Sequence, residues 1–329
     1  MRILVTGGAG FIGSSYVRRA LTGAYPAIDA AEIVVLDALT YAGTMTNLSE
    51  VAESPRFRFI EGDIRDAALV SETMRGTDVV VHFAAESHVD RSIAGAADFV
   101  STNVVGTQVL LQAALDAGVQ KFVHVSTDEV YGSIDEGSWP EDHPLLPNSP
   151  YSASKASSDL LARAYHRTHG LPVCITRCSN NYGRHQFPEK VIPLFVTNLL
   201  DGRKVPLYGD GLNVRDWLHV DDHCRGIQLV VEGGRPGEVY NIGGGTEMTN
   251  RDLTYRLLAA VGADESMIEP VADRKGHDRR YSVDWSKIAD ELGYSPQVSI
   301  DEGLADVVDW YRTRRDWWEP LKAGSAVAR

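Results

Sequence analysis

Tyr151 and Lys155 stand four residues apart in the run Tyr151-Ser152-Ala153-Ser154-Lys155, a spacing that puts both on one helix face. A phenol acts as a base near neutral pH only when its phenolate is stabilised, and a neighbouring ammonium supplies that. Upstream, Thr127-Asp128-Glu129-Val130-Tyr131-Gly132 follows the apolar run Phe122-Val123-His124-Val125. Two adjacent carboxyls at a strand end suit acid and base work together. One can protonate a leaving hydroxyl while the other removes a carbon-bound proton, which is what elimination of water requires. The pair also fits a solvated loop, with Glu129 as a structural anchor.

A second constellation opens the chain. Thr6-Gly7-Gly8-Ala9-Gly10-Phe11-Ile12-Gly13 directly follows the run Ile3-Leu4-Val5. Gly7, Gly10 and Gly13 permit a tight turn, and the loop they form with Phe11 and Ile12 can bring backbone N–H groups to a pyrophosphate at a helix N-terminus. Asp37 closes the next apolar run, where a carboxylate accepts from ribose hydroxyls and repels a 2′-phosphate, favouring NAD over NADP. It also fits a turn cap. Asp63 and Ile64, in Gly62-Asp63-Ile64-Arg65-Asp66, lie where an adenine would end; a helix N-cap is the other reading of Asp63.

These residues need a scaffold, and the first half of the chain supplies its pattern. Apolar runs at 3–5, 33–36, 57–60, 79–83, 122–125 and 173–176 alternate with helical stretches such as Asn103 to Ala117. Continuous apolar runs are what strands buried on both faces look like, so the expectation is α/β: a doubly wound, Rossmann-like parallel sheet. After about residue 180 the pattern loosens at Pro188, Pro193, Pro206 and Pro236. It then gives a helix over 251–261, a polar loop over 273–280 and a late helix over 301–312. The division expected is a dinucleotide-binding domain over 1–180 that carries the catalytic residues, a smaller and mainly substrate-binding portion over 181–322, and a flexible tail over 323–329. Val239 to Ile242 has the composition of a strand that can return to the main sheet.

The net charge of −13 argues against a general nucleic-acid binder, because no excess of cations is available to neutralise phosphates. A local basic pocket for one phosphorylated ligand is compatible with that balance. The N-terminus lacks a signal peptide's basic, apolar and cleavage segments, and no run is long enough to span a bilayer. Cys174, Cys178 and Cys224 form no metal-ligand pattern and read as thiols of a reducing cytoplasm. His82 and His124 lie in apolar runs and read as hydrogen-bonded core histidines, so no metal is expected.

The glycine loop, Val125-Ser126-Thr127 and Tyr151-x-x-x-Lys155 together resemble the extended short-chain dehydrogenase/reductase family over nearly the whole chain. Further blocks narrow the resemblance: Ala84-Ala85-Glu86-Ser87-His88-Val89-Asp90, Thr127 to Gly132, Ser179-Asn180-Asn181-Tyr182-Gly183, Phe187-Pro188-Glu189-Lys190 and Arg215-Asp216-Trp217. In this order they are similar to the dTDP-glucose 4,6-dehydratase family. The resemblance implies Tyr151 as base for the sugar 4-hydroxyl, Lys155 as its support and Thr127 as a hydrogen-bond partner of the same oxygen. It implies Asp128 as acid for the departing 6-hydroxyl and Glu129 as base for the C5 proton. Arg215 is implied at the diphosphate and Ser87 at the sugar. Asn180, Glu189, Lys190, Asn250 and His277 follow as further nucleotide-sugar contacts, with Lys204, Pro206 and Tyr208 in the loop that packs on the base. Taken alone, Asn180 fits a loop cap, Tyr208 a core aromatic and Arg215 an ion pair with Asp216. A homodimer through the helices over 103–117 and 151–169 is also implied. The other functions considered are a nucleotide-sugar 4-epimerase, which has no use for Asp128 and Glu129 as acid and base, and a non-catalytic NAD-binding scaffold, which has no need of the four together.

Overall fold

The computed structural model describes residues 1–273 and 276–327. The six apolar runs form β1 (Arg2–Thr6), β2 (Glu32–Asp37), β3 (Phe57–Glu61), β4 (Val79–His82), β5 (Lys121–Thr127) and β6 (Val173–Cys178). Six further strands follow: β7 (Asn180–Tyr182), β8 (Val205–Tyr208), β9 (Val214–His219), β10 (Val239–Ile242), β11 (Glu247–Thr249) and β12 (Ile268–Val271). The main sheet has seven strands in the order β10-β6-β5-β4-β1-β2-β3, and every neighbouring pair is parallel. It is the Rossmann-like doubly wound sheet that the sequence pattern predicts. The strand order reverses between β1 and β4, and ligands of such sheets bind outside the carboxyl ends of the strands at that point.

Alternation along each strand explains why the runs are apolar at every position. Ile3 and Val5, with Ile33, Val35, Val81 and Val123, pack on helices Phe11–Leu21 and Val220–Gly233 through Tyr16, Val17, Cys224 and Ile227. Leu4, Val34, Val80 and Phe122 point the other way, onto Leu110, Leu111, Ala114 and Ala162 of helices Thr107–Ala117 and Pro150–His169. Each such fully buried side chain contributes roughly 1.5–3 kcal/mol relative to exposure. The helix expected from Asn103 begins earlier, as a π-helical segment over Val100–Gly106. The widened turn carries Asn103 into the core, where Oδ1 accepts from Glu86 N at 2.8 Å and Nδ2 donates to Ser154 Oγ at 2.8 Å.

Beyond residue 180 the chain divides between the sheet and a second lobe. β10 extends the main sheet beside β6, and helix Val220–Gly233 covers it. The second lobe gathers helices Val191–Leu200, Asn250–Val261 and Ile300–Thr313 around Trp310, Tyr311, Trp317 and Trp318. The small sheets β11-β9-β7 and β12-β8 complete it. The last helix, Arg315–Val327, runs through the first part of the expected tail. Residues 328 and 329 of that tail, and 274 and 275 of the polar loop, lie outside the described residues.

Candidate active site

The glycine loop leaves no room for side chains. Gly7 has φ +69°, and a Cβ there would lie 2.5 Å from Ala84 N; a Cβ on Gly13 would lie 2.3 Å from Gly7 O. Helix Phe11–Leu21 starts at Gly10 with no side-chain cap, so its first N–H groups, at Phe11, Ile12 and Gly13, are available to an anion. Asp37, at the end of β2, is buried: Oδ2 accepts from Ala9 N at 2.9 Å and Oδ1 from Leu39 N at 2.8 Å. Burial raises its pKa, and the two backbone donors hold it back. An uncapped helix start, a backbone cradle and a carboxylate one strand away fit a dinucleotide with a free ribose 2′-hydroxyl.

Asp63 is chelated by Arg65, whose Nε lies 3.0 Å from Oδ1 and Nη2 2.5 Å from Oδ2. That pairing, foremost, holds its pKa below the usual range. The cap of helix Ala67–Met74 is Asp66, accepting from Ala68 N and Leu69 N at 3.1 Å. The N-cap reading therefore belongs to Asp66, three residues on from Asp63.

The two carboxyls sit on the single turn Asp128–Tyr131 that ends β5, and Thr127 Oγ1 caps it by accepting from Glu129 N at 3.3 Å. Asp128 is 2% exposed, and its Oδ2 has no hydrogen-bond partner. Burial first, then the charges of Glu129 and Asp216, push its pKa well up against the pull of Arg215. Burial thus favours the protonated carboxyl over the carboxylate. Tyr151 opens helix Pro150–His169, which Ser149 and Ser152 lock with a capping box. Its phenol is buried and likewise pushed well up, by burial, Glu129, Cys178 and Asp128; the Thr127 hydroxyl works the other way. Lys155 Nζ donates to Val125 O at 2.8 Å. Burial lowers its pKa, while Asp159, one helical turn further, supports the charge.

Beneath Lys155 lies a buried polar chain. Arg177 Nε meets Asp159 Oδ2 at 2.9 Å and His124 Nε2 lies 3.2 Å from Asp159 Oδ1. His82 sits between Thr6 Oγ1 at 2.7 Å and Thr107 Oγ1 at 3.0 Å. Both histidines are the hydrogen-bonded core residues that the sequence suggests.

A cleft of about 340 Å³ joins these parts. The glycine loop, Asp37, Asp63, Ile64, Ser87, Thr127, Asp128, Glu129, Tyr151, Lys155, Asn180, Glu189 and Lys190 all line it. Asn180 is a strand residue of β7, not a loop cap, and its buried Oδ1 has no partner. Lys190 Nζ donates to Ser87 O at 2.9 Å, and Glu189 pairs with Arg91 at 3.1 Å. Tyr41, Glu86 and Phe187 also line the cleft. Tyr41 carries the Arg91 guanidinium 3.8 Å from its ring centre. The only trace of Tyr41 in the sequence is an aromatic four residues after Asp37; Glu86 was visible within the Ala84–Asp90 block.

Lys204, Pro206, Tyr208, Arg215, Asn250 and His277 lie outside that lining, in the second lobe. Pro206 and Tyr208 belong to β8, and the Tyr208 ring is 39% exposed, not core, with His277 edge-on at 6.4 Å. Asn250 opens helix Asn250–Val261, and Lys204 precedes β8. Arg215 lies over the Tyr281 ring at 4.3 Å and donates to Asp278 O at 2.9 Å. Asp216 holds a loop, accepting from Ser179 Oγ at 2.6 Å and from Gly244 N and Thr246 N at 2.8 Å. The clusters touch electrostatically: Arg215 pulls on Asp128, and Glu129 pushes up the Tyr281 phenol.

Fold and site together define a nucleotide-sugar enzyme of the extended short-chain dehydrogenase/reductase class. The family model described as GDP-mannose 4,6 dehydratase matches residues 4–307, and the chain belongs to that family. Its relatives include the dTDP-glucose 4,6-dehydratase of Streptomyces antibioticus, 66% identical over 323 residues, which are 98% of this chain and 96% of that one. A dTDP-glucose 4,6-dehydratase from Streptomyces venezuelae, solved with NAD and TYD bound, superposes with TM-score 0.97 at 68% identity over 98% of this chain and 100% of that one. UDP-glucose 4-epimerase of Thermotoga maritima, solved with UDP-glucose, is further off: TM-score 0.86 at 34% identity, covering 95% of this chain and 99% of that one.

Proposed function

We infer that this chain is a lyase that converts dTDP-glucose to dTDP-4-keto-6-deoxyglucose with NAD as its cofactor. Gly7, Gly10, Phe11, Ile12 and Gly13 hold the pyrophosphate of NAD, Asp37 its adenosine ribose, and Asp63 and Ile64 its adenine end. Bound there, NAD takes up the sugar C4 hydrogen and returns it at C6 within one turnover. Tyr151 takes the 4-hydroxyl proton, with Lys155 as the cation that offsets its phenolate and Thr127 bonded to the same oxygen. The resulting ketone acidifies C5–H, and Glu129 removes that proton while Asp128 protonates the leaving 6-hydroxyl. Arg215 takes the diphosphate, and Tyr208, with Lys204 and Pro206, the base. Asn180, Ser87, Glu189, Lys190, Asn250 and His277 complete the contacts.

The observation that carries this reading is the pair Asp128 and Glu129. Asp128 is buried and partnerless at Oδ2, and that burial favours its protonated form, beside Glu129 at the same strand end. An acid poised beside a base is what elimination needs and what a 4-epimerase does not use. Incubating the protein with NAD and dTDP-glucose is expected to give a nucleotide sugar one water lighter. A product of unchanged mass with an inverted 4-hydroxyl would sustain the epimerase instead.

The chain further works as a homodimer in the cytoplasm. The reading is supported by apolar side chains left at the surface on two helices in contact, Val105 at 49% and Leu160 at 55% exposure. Among the described residues no helix is long and apolar enough to cross a membrane, and the three cysteines are free and buried.

A further inference from the structure

The peptide at Ala9, in the middle of the glycine loop, is clamped at both ends. Its N–H donates to Asp37, while its carbonyl accepts from Asn47 Nδ2 at 2.9 Å and from Thr44 N at 3.2 Å. Asn47 is 2% exposed, and its own carbonyl accepts from Arg18 Nη1 at 2.6 Å. Its remaining side-chain atom, Oδ1, accepts from the indole Nε1 of Trp317 at 3.0 Å, across 270 residues. An indole N–H only donates, and an amide has one accepting and one donating end. Trp317 therefore dictates which way Asn47 faces: the oxygen toward the indole, the NH2 toward Ala9. Reversed, Asn47 would set an oxygen against the Ala9 carbonyl.

Trp317 is itself held fast. Its ring lies 5.0 Å from Trp310 and 5.6 Å from His185, and the whole group belongs to the second lobe's core. The same aromatic block reaches the cleft by a second route, because the Tyr311 hydroxyl donates to the carbonyl of Gln186, a cleft residue. The adjacent Trp318 makes a useful contrast. It is as deeply buried, but its indole donates to Tyr311 O at 2.8 Å, within the helical block.

We propose that Trp317 is a positioning residue for the cofactor: through Asn47 it fixes the Ala9 peptide, and thereby ties NAD affinity to the last helix of the second lobe. The proposal rests on the reading of the glycine loop as the NAD seat. Trp317→Phe keeps an aromatic ring but removes the donor together with the bulk of the second ring, leaving a buried acceptor unsatisfied and Asn47 free to turn; Trp318→Phe loses the same bulk and so isolates the donor's part.

The test is equilibrium dialysis of the holoenzyme against graded free NAD, with kcat at saturating NAD and thermal melting measured alongside. Trp317→Phe is expected to weaken NAD binding by roughly fivefold to 150-fold, the range for a buried group left unpaired. Its kcat at saturating NAD should stay within about twofold of the parent, since the chemistry does not involve the loop directly. Trp318→Phe should melt earlier by a comparable amount yet bind NAD like the parent. Asn47→Ala tests the link from the loop side, also should Trp317→Phe fail to fold, and the double variant should be no weaker than Asn47→Ala alone. Parental NAD binding in Trp317→Phe or in Asn47→Ala, or equal weakening in Trp318→Phe, would overturn the proposal. If the parent itself binds no NAD, the reading of the loop falls, and the coupling with it.

Discussion

Asparagine at position 128 removes an acid while keeping a carboxyl's shape. Asp128 is 2% exposed, and burial with the charges of Glu129 and Asp216 raises its pKa, favouring the neutral form. Asp128→Asn puts a neutral amide of the same shape where burial already favours a neutral group, and with Oδ2 unpartnered the change breaks no hydrogen bond at that atom. Folding stability should move by less than about 1 kcal/mol. Loss of a general acid costs about 10²–10⁴ in rate, or about 3–5 kcal/mol of barrier, and it should fall on water loss alone. Oxidation at C4 uses Tyr151 and Lys155, both left in place by the substitution, and should not slow. The variant should therefore build up reduced cofactor after rapid mixing with dTDP-glucose, seen by absorbance, while quenched samples show little dehydrated sugar. Parental rates of dehydration with no build-up of reduced cofactor would refute the reasoning.

Lys155→Met keeps the buried stem and deletes the ammonium that donates to Val125 O; C4 oxidation should fall at least about a hundredfold and its pH–rate profile move alkaline, and an unshifted profile would count against the assignment. Burial, foremost, holds His185 and His223 at about 3, below about 6.5 in an unfolded chain. The unfolded state thus takes up the protons first, so the stability they lend is complete above about pH 6.5 and lost toward pH 3, at about 1.4 kcal/mol per histidine per pH unit. Urea midpoints should drop between about pH 7 and 5, and less so in His223→Gln; a flat profile would contradict this. Leu160→Glu, on an exposed apolar position, should convert a dimer to monomer by light scattering with the melting of the isolated fold preserved, and an unchanged mass would remove that face from the interface.

What the sequence made legible was local. Strands buried on both faces read as unbroken apolar runs, and the glycine loop, Asp37, the Asp128–Glu129 pair and Tyr151-x-x-x-Lys155 all lie within short windows at strand ends or helix starts. The cleft brings these windows together because carboxyl ends of parallel strands converge at the switch point between β1 and β4. Other features depend on partners far apart in the chain. The Asn47–Trp317 bond spans 270 residues, and while the return of Val239–Ile242 to the sheet was legible from its composition, its place beside β6, more than sixty residues upstream, was not. Within the π-helical segment Val100–Gly106, Asn103 bonds Glu86 and Ser154, partners that no periodicity within 100–117 reveals. At Asp63 the local signal was divided between neighbours: the Asp66 cap, with its small and apolar followers, was readable three residues further on.

Return of the C4 hydrogen to C6 of the same sugar is tested most directly with dTDP-glucose carrying deuterium at C4. After incubation with the protein and NAD, mass spectrometry should find a product lacking one water and retaining the deuterium, now at C6. Loss of the label to solvent, or an isomer of unchanged mass with the deuterium still at C4, would contradict it.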